Sequence, residues 1–128
     1  MKKILIIDDD PVTGRVYSSL LTRNGYQVDV ATSMRAGLQR LAEFQPAGVL
    51  LDLMLPDSNG LDFLKTIRGM DGFKSLPVIV YTNLFVPGMT ERAVAAGATK
   101  IFDKATLTPT SLVDTFNGYL NPPQAAAA

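Results

Sequence analysis

Asp8, Asp9 and Asp10 follow the apolar run 4–7, Asp52 ends the run 49–51, and Thr82 ends the run 78–81. Lys104 comes just after the short apolar pair Ile101 and Phe102. A carboxylate can act as a nucleophile, and several together offer hard oxygen ligands. Gathered at one place they repel: two unit charges ~4 Å apart cost about 4 kcal/mol at an effective dielectric of ~20. Such a cluster calls for a hard cation, and Mg²⁺ suits a small site completed by waters and a phosphoryl group. Lys104 would add a second positive charge, and Thr82 a hydroxyl donor for an anionic oxygen. An acid nucleophile, a metal, a cation and a donor make a phosphoryl-binding site.

Each residue also has a plainer use. Asp10 before Pro11 is a cap followed by a first-turn proline, so Asp10 is assigned to capping a helix. A helix needs one cap, which leaves Asp8 and Asp9 for other work. Asp52 closes a fully apolar run, where a charge is costly unless it is used. Threonine is common in strands and a lone lysine is ordinarily solvated, so Thr82 and Lys104 gain meaning only by meeting the acids at one edge.

The elements that would bring them together can be read from the hydrophobic pattern. Runs 4–7, 49–51 and 78–81 are continuously apolar, as expected for parallel strands covered on both faces. Val28-Asp29-Val30 alternates and Ile101-Phe102 is very short, so both read as edge strands. Val12, Val16 and Leu20 share a helical face, as do Met34, Leu38 and Leu41, and Leu112, Phe116 and Leu120. Gly25 closes the first helix, Ser33 could cap the second, and Thr108-Pro109 repeats the cap-and-proline signature before the last. A thinner helix is expected over 90–96, stopped by Gly97, with Pro87-Gly88 marking a late start. Strand–helix units in alternation predict an α/β fold with a five-stranded, doubly wound parallel sheet and helices on both faces. Ligands bind such sheets beyond the carboxyl ends of the strands, where the polar residues fall.

The 128 residues fit one domain, and 47% hydrophobic residues supply a core. With no cysteine there are no disulfides or thiolate metal sites. With no histidine there is no histidine base, no His-ligated zinc and no phosphohistidine on this chain. Twelve basic residues balance twelve acidic ones without a basic stripe, which argues against direct nucleic-acid binding. No apolar run approaches the ~20 residues of a membrane span, and 4–7 is too short for a signal peptide, so a cytoplasmic protein without membrane contact is expected. Residues 121–128, with two prolines and four alanines, form a tail, a linker stub or a remnant beyond a domain of residues 1–120.

These stretches resemble the receiver domains of two-component response regulators, which have a flavodoxin-like fold. The resemblance runs from Lys3 to about Leu120. It is carried by Ile4-Leu5-Ile6-Ile7-Asp8-Asp9-Asp10-Pro11 and most specifically by Val49-Leu50-Leu51-Asp52-Leu53-Met54-Leu55-Pro56-Asp57-Ser58-Asn59-Gly60. Pro77-Val78-Ile79-Val80-Tyr81-Thr82, Ala95-Ala96-Gly97-Ala98 and Phe102-Asp103-Lys104 follow in order. The resemblance implies a sheet of order 2-1-3-4-5 flanked by five helices and Asp52 as phosphoacceptor. It implies Mg²⁺ bound by Asp9 directly, by Asp8 mainly through water, by Asp52 and by the main-chain carbonyl of Met54. Thr82 would be the switch hydroxyl and Lys104 the salt-bridge partner, while Pro56 and Gly60 shape the loop after the acceptor. It further implies a phosphohistidine donor on a sensor histidine kinase or histidine phosphotransfer protein, and a downstream protein target or tethered output domain. Apart from its own phosphorylation and dephosphorylation, no enzymatic activity is implied.

Four departures stand out. Ala105 follows Lys104 where the family usually has proline after a cis bond, so the loop is either strained or trans with Lys104 repositioned. Ile101 replaces the aromatic residue that swings inward on activation, leaving that readout absent or moved to Phe102. Asn83 stands where a small residue is usual, so its bulk could restrict access to the acceptor, and with Met54 and Leu84 it should influence the lifetime of the phosphorylated state. The helices beside the fifth strand lack the charge pairs of regulators that dimerise there.

Two alternatives belong to other classes. A phosphohydrolase of the haloacid dehalogenase type would use Asp8 as nucleophile, but it needs further acids late in the chain, where only Asp114 remains. A receiver-like binding module that no longer accepts phosphate would find its support in Ala105 and Asn83.

Overall fold

The computed structural model describes residues 2–54, 59–82 and 87–121. Pro56, Asp57, Ser58, Asn83, Leu84 and the tail after Asn121 lie outside them. Five strands alternate with five helices: β1 (Lys3–Ile7), α1 (Pro11–Arg23), β2 (Gln27–Ala31), α2 (Met34–Phe44) and β3 (Gly48–Asp52) come first. They are followed by α3 (Gly60–Arg68), β4 (Val78–Thr82), α4 (Met89–Ala96), β5 (Lys100–Asp103) and α5 (Pro109–Leu120). All strand pairs are parallel, in the order β2-β1-β3-β4-β5. The continuous apolar runs are the three central strands, and every residue of β3 and β4 is buried. The alternating and short runs are the edges.

Period-two alternation sends successive side chains to opposite faces, and each face has its own core. Leu5, Ile7, Val49, Leu51, Val78 and Val80 pack with Leu41, Phe63, Leu64, Ile67 and Ala93 from α2, α3 and α4. Ile4, Ile6, Leu50, Ile79 and Tyr81 pack with Leu21, Leu112, Phe116 and Leu120 from α1 and α5. Ile101 joins the first group and Phe102 the second. Phe102 therefore faces away from the side that Ile101 occupies.

Helix starts follow the cap chemistry. Asp10 accepts from the Val12 N–H, Ser33 from Ala36 and Thr108 from Ser111, with Pro11 and Pro109 opening their helices. At the end of α1, Asn24 is the C-cap and Gly25 follows at φ 93°, a left-handed position that favours glycine.

The expected inner face of α1 is corrected. Val12 and Val16 are 57% and 58% exposed, whereas Gly14 and Leu21 are buried and Tyr17 and Leu20 pack on the core. A side chain at Gly14 would bring its Cβ to 3.2 Å from Val30 Cγ1, so close approach of helix to strand selects the inward face.

Arg68, at the end of α3, ties three segments together. Its guanidinium donates to the carbonyls of Gly97, Phe73 and Leu76 and to Thr99 Oγ1. These bonds join α3 to the approach to β4 and to the turn before β5.

Candidate functional site

The carboxyl ends of β1, β3, β4 and β5 place the polar residues at one edge of the sheet. Asp8 continues the face of Ile4 and Ile6, and its N–H still bonds the Ala31 carbonyl at 3.0 Å. Asp52 continues the face of Leu50 and lies opposite Tyr81 in the register. Lys104 leaves β5 with its N–H on the Thr82 carbonyl, 3.0 Å away. Residues 96 positions apart in the chain thus meet because four parallel strands end together.

Asp8 is fully buried, Asp52 is 2% exposed, and Asp9 is exposed. Each offers a carboxylate oxygen, and the three oxygens lie within 4.8 Å of one another. Lys104 Nζ is 2.8 Å from Asp52 Oδ2 and 3.8 Å from Asp8 Oδ2. Asp52 Oδ1 accepts from the Met54 N–H at 3.0 Å, so both oxygens of the carboxylate are oriented. Asp8 Oδ1 accepts from the Asp10 N–H at 2.9 Å. Asp10 itself turns to the helix, with Oδ2 accepting from Thr13 Oγ1 at 2.7 Å.

Burial pushes the Asp52 carboxyl above its usual range, against the hydrogen bonds from Lys104 and Met54. Burial works against the Lys104 ammonium, but the Asp52 hydrogen bond and the charges of Asp52, Asp8 and Asp9 outweigh it and raise its pKa. The lysine is held as a cation beside an acid whose charge is costly to bury.

Thr82 is 1% exposed, and its Oγ1 has no hydrogen-bond partner among the described residues. A buried hydroxyl without a partner among the described residues is uncommon and is suited to receive one from an anionic ligand. The acid set fits Mg²⁺: hard oxygens only, close together, with one carboxylate facing solvent.

Met54 follows Asp52 by two residues, is 61% exposed and pairs with Asn59 in an isolated antiparallel bridge. The Gly60 N–H bonds the Leu53 carbonyl at 2.9 Å, and a Cβ on Gly60 would lie 2.5 Å from Leu53 Cα. Only glycine fits that approach. No cis peptide bond occurs among the described residues, so Lys104–Ala105 is trans and Lys104 still reaches Asp52. Asp114, which a dehalogenase-type site would need, is exposed on α5 beside Leu20 and Pro109 and is not among the gathered acids.

One member of the site was not expected. The Tyr81 hydroxyl donates to Asp8 Oδ2, and the Lys104 ammonium lies 4.9 Å from the centre of the Tyr81 ring. Burial, reinforced by the Asp8 bond, pushes the phenol far above the usual tyrosine range and keeps it a donor. The sequence signal was the strand period: Tyr81 directly precedes Thr82 and shares the face of Ile79, so it points to the side where Asp52 lies.

Residues 4–117 match the family described as the response regulator receiver domain. The chain is similar to the transcriptional regulatory protein KdpE of Mycobacterium tuberculosis, 39% identical over 98 residues, which are 77% of this chain and 42% of that protein. It thus aligns with less than half the length of that relative. It is 30% identical to the chemotaxis protein CheY of Thermotoga maritima over 117 residues, 91% of this chain and 95% of that one. The solved structure of the Vibrio cholerae chemotaxis protein CheY4 superposes with a TM-score of 0.86 at 27% identity, covering 94% of this chain and 99% of that one. Receiver domains are signalling modules that accept phosphoryl groups from histidine kinases and act on downstream targets, and they generally bind Mg²⁺ at an acidic site. No helix among the described residues is long and apolar enough to cross a membrane. With the fold, the strand-end acids and the family match in agreement, this chain belongs to the response regulator receiver domains.

Proposed function

We propose that Asp52 is the phosphoacceptor, that Asp8, Asp9, Asp52 and the Met54 carbonyl hold Mg²⁺, and that Lys104 and Thr82 receive the phosphoryl oxygens. The observation that carries this is the placement of Asp52: a buried carboxylate bonded to Lys104 with two further carboxylates beside it. Mg²⁺ bound there supplies charge neutralisation on the phosphoryl oxygens. Met54 N–H and Lys104 orient the Asp52 carboxylate for in-line attack on phosphorus. An Asp52 oxygen forms the new P–O bond as the bond to the donor nitrogen breaks, its electron pair returning to an imidazole that takes up a proton. The Lys104 ammonium, freed from an esterified Asp52, follows the charge to the phosphoryl oxygens. The Thr82 hydroxyl, without a partner among the described residues, donates to a phosphoryl oxygen.

The donor is a phosphohistidine on a sensor histidine kinase or a histidine phosphotransfer protein. The output is a downstream protein or a domain tethered beyond the receiver unit of residues 1–120, with residues 121–128 as tail or linker. The chain catalyses its own phosphorylation and dephosphorylation, in the cytoplasm. The added phosphoryl brings roughly −1.5 to −2 charges and shifts the population between two states of the domain.

The test is labelling with a small phosphodonor, followed by intact mass. Transfer that needs Mg²⁺ and disappears in Asp52→Asn is expected. Undiminished labelling of Asp52→Asn would refute the assignment, and no labelling of the unsubstituted chain would favour a module that has lost phosphoryl acceptance.

A further inference from the structure

The Tyr81 side chain touches both signs of charge in the site. Its hydroxyl donates to Asp8 Oδ2, and its ring lies 4.9 Å from Lys104 Nζ. The ring itself cannot drift: Tyr81 is fully buried, and the Tyr17 ring of α1 meets it edge-on at a centroid distance of 5.5 Å. Asp8 has no water-exposed surface and so depends on protein donors for its orientation. Among the described residues those donors are the Asp10 N–H, 2.9 Å from Oδ1, and the Tyr81 hydroxyl on Oδ2, with Lys104 Nζ farther off at 3.8 Å. One fixes each oxygen, and together they set the plane of the carboxylate.

We infer that Tyr81 is a positioning residue for the cation site, holding Asp8 in the orientation in which it converges with Asp9 and Asp52 on Mg²⁺. The inference rests on the proposed Mg²⁺ site and adds to it a residue outside the ligand set. Outer-sphere partners that orient metal-binding groups are typically worth about 10–100-fold in metal affinity. A phenol buried against Tyr17 is well suited to the task, because little rotamer freedom remains to be lost when the metal arrives.

The test is calorimetric titration of the full chain with MgCl₂, comparing the unsubstituted protein with Tyr81→Phe. The phenylalanine keeps the ring, its contact with Tyr17 and its place under Lys104. The expected result is about tenfold weaker binding by Tyr81→Phe, which keeps a cooperative thermal transition without metal. Equal or tighter binding by the folded variant would overturn the inference and leave the phosphoacceptor assignment standing. No Mg²⁺ binding by the unsubstituted chain would overturn both.

A second measurement needs no variant. With ¹³C at the tyrosine Cζ, the Tyr81 resonance should move on adding Mg²⁺, while that of Tyr26, which donates to Asn117 away from the site, stays fixed. A Tyr81 resonance unmoved by bound Mg²⁺ would contradict the inference even if Tyr81→Phe failed to fold.

Discussion

Lys104 Nζ sits 2.8 Å from Asp52 Oδ2, closing a gap of 52 residues in the chain with a charge-assisted hydrogen bond. Before any phosphoryl group arrives, the lysine shares the Asp52 charge that a metal would also neutralise. On the proposed reading it would both aid transfer and oppose the cation. Lys104→Met should slow phosphorylation of Asp52 by about 10²–10³-fold, the scale of losing one preorganised charge donor. Mg²⁺ binding should tighten in the same variant. Parallel loss of both, measured by labelling rate and metal titration, would contradict this division.

The raised Asp52 carboxyl makes a statement about stability without metal. A carboxyl whose folded pKa exceeds its unfolded value of ~3.9 binds protons better in the native state. Stability should fall as pH rises from ~4 through the folded value, with the full cost present above it. Asp52→Asn should then be more stable than the unsubstituted chain at pH ~7 in chelator, and the advantage should shrink toward pH ~4. Urea midpoints across this range check it. An advantage that grows toward low pH would have the wrong sign.

Thr82→Val replaces a hydroxyl that has no partner among the described residues with a methyl group of similar size. An unsatisfied buried hydroxyl costs about 1–3 kcal/mol, so the unphosphorylated variant should gain about 1 kcal/mol in denaturant unfolding. It should still be labelled on Asp52 but respond less to labelling, as seen by amide chemical shifts in β4 and α4. A loss of stability would show that the hydroxyl is already satisfied.

Gly60→Ala should cost about 1–3 kcal/mol, because its Cβ meets backbone at Leu53 rather than a flexible side chain. The displaced turn carries Met54, so Mg²⁺ binding should weaken too. Unchanged thermal stability would contradict the close approach.

How much of this was legible follows from where polarity interrupts apolar runs. Asp52 and Thr82 end buried strands and Asp8 directly follows one, and parallel pairing brings strand ends together, so their gathering at one edge is readable from the sequence. The core face of α5 was readable for the same reason: Leu112, Phe116 and Leu120 are all buried. The face of α1 was not. Val12 and Val16 imitate a core stripe, while the residue that decides the packing is Gly14, which carries no hydropathy signal.

Tyr81 and Arg68 were hidden in a different way. Tyr81 looks like the last member of an apolar run, and only its polar tip, placed by the strand period, belongs to the site. The partners of Arg68 are mostly backbone carbonyls, which no residue pattern marks. Exposed Val12 and Val16 show the converse, since apolar surface is normal on a folded protein.

On the proposed reading, phosphate is carried as an acyl phosphate on Asp52 and on no other aspartate. Borohydride reduction of the labelled chain converts an acyl phosphate to homoserine, which peptide mass spectrometry can place. Homoserine at position 52, formed only with Mg²⁺ and a phosphodonor, is the predicted result. Homoserine at position 8 or 9, with Asp52 intact, would contradict the account.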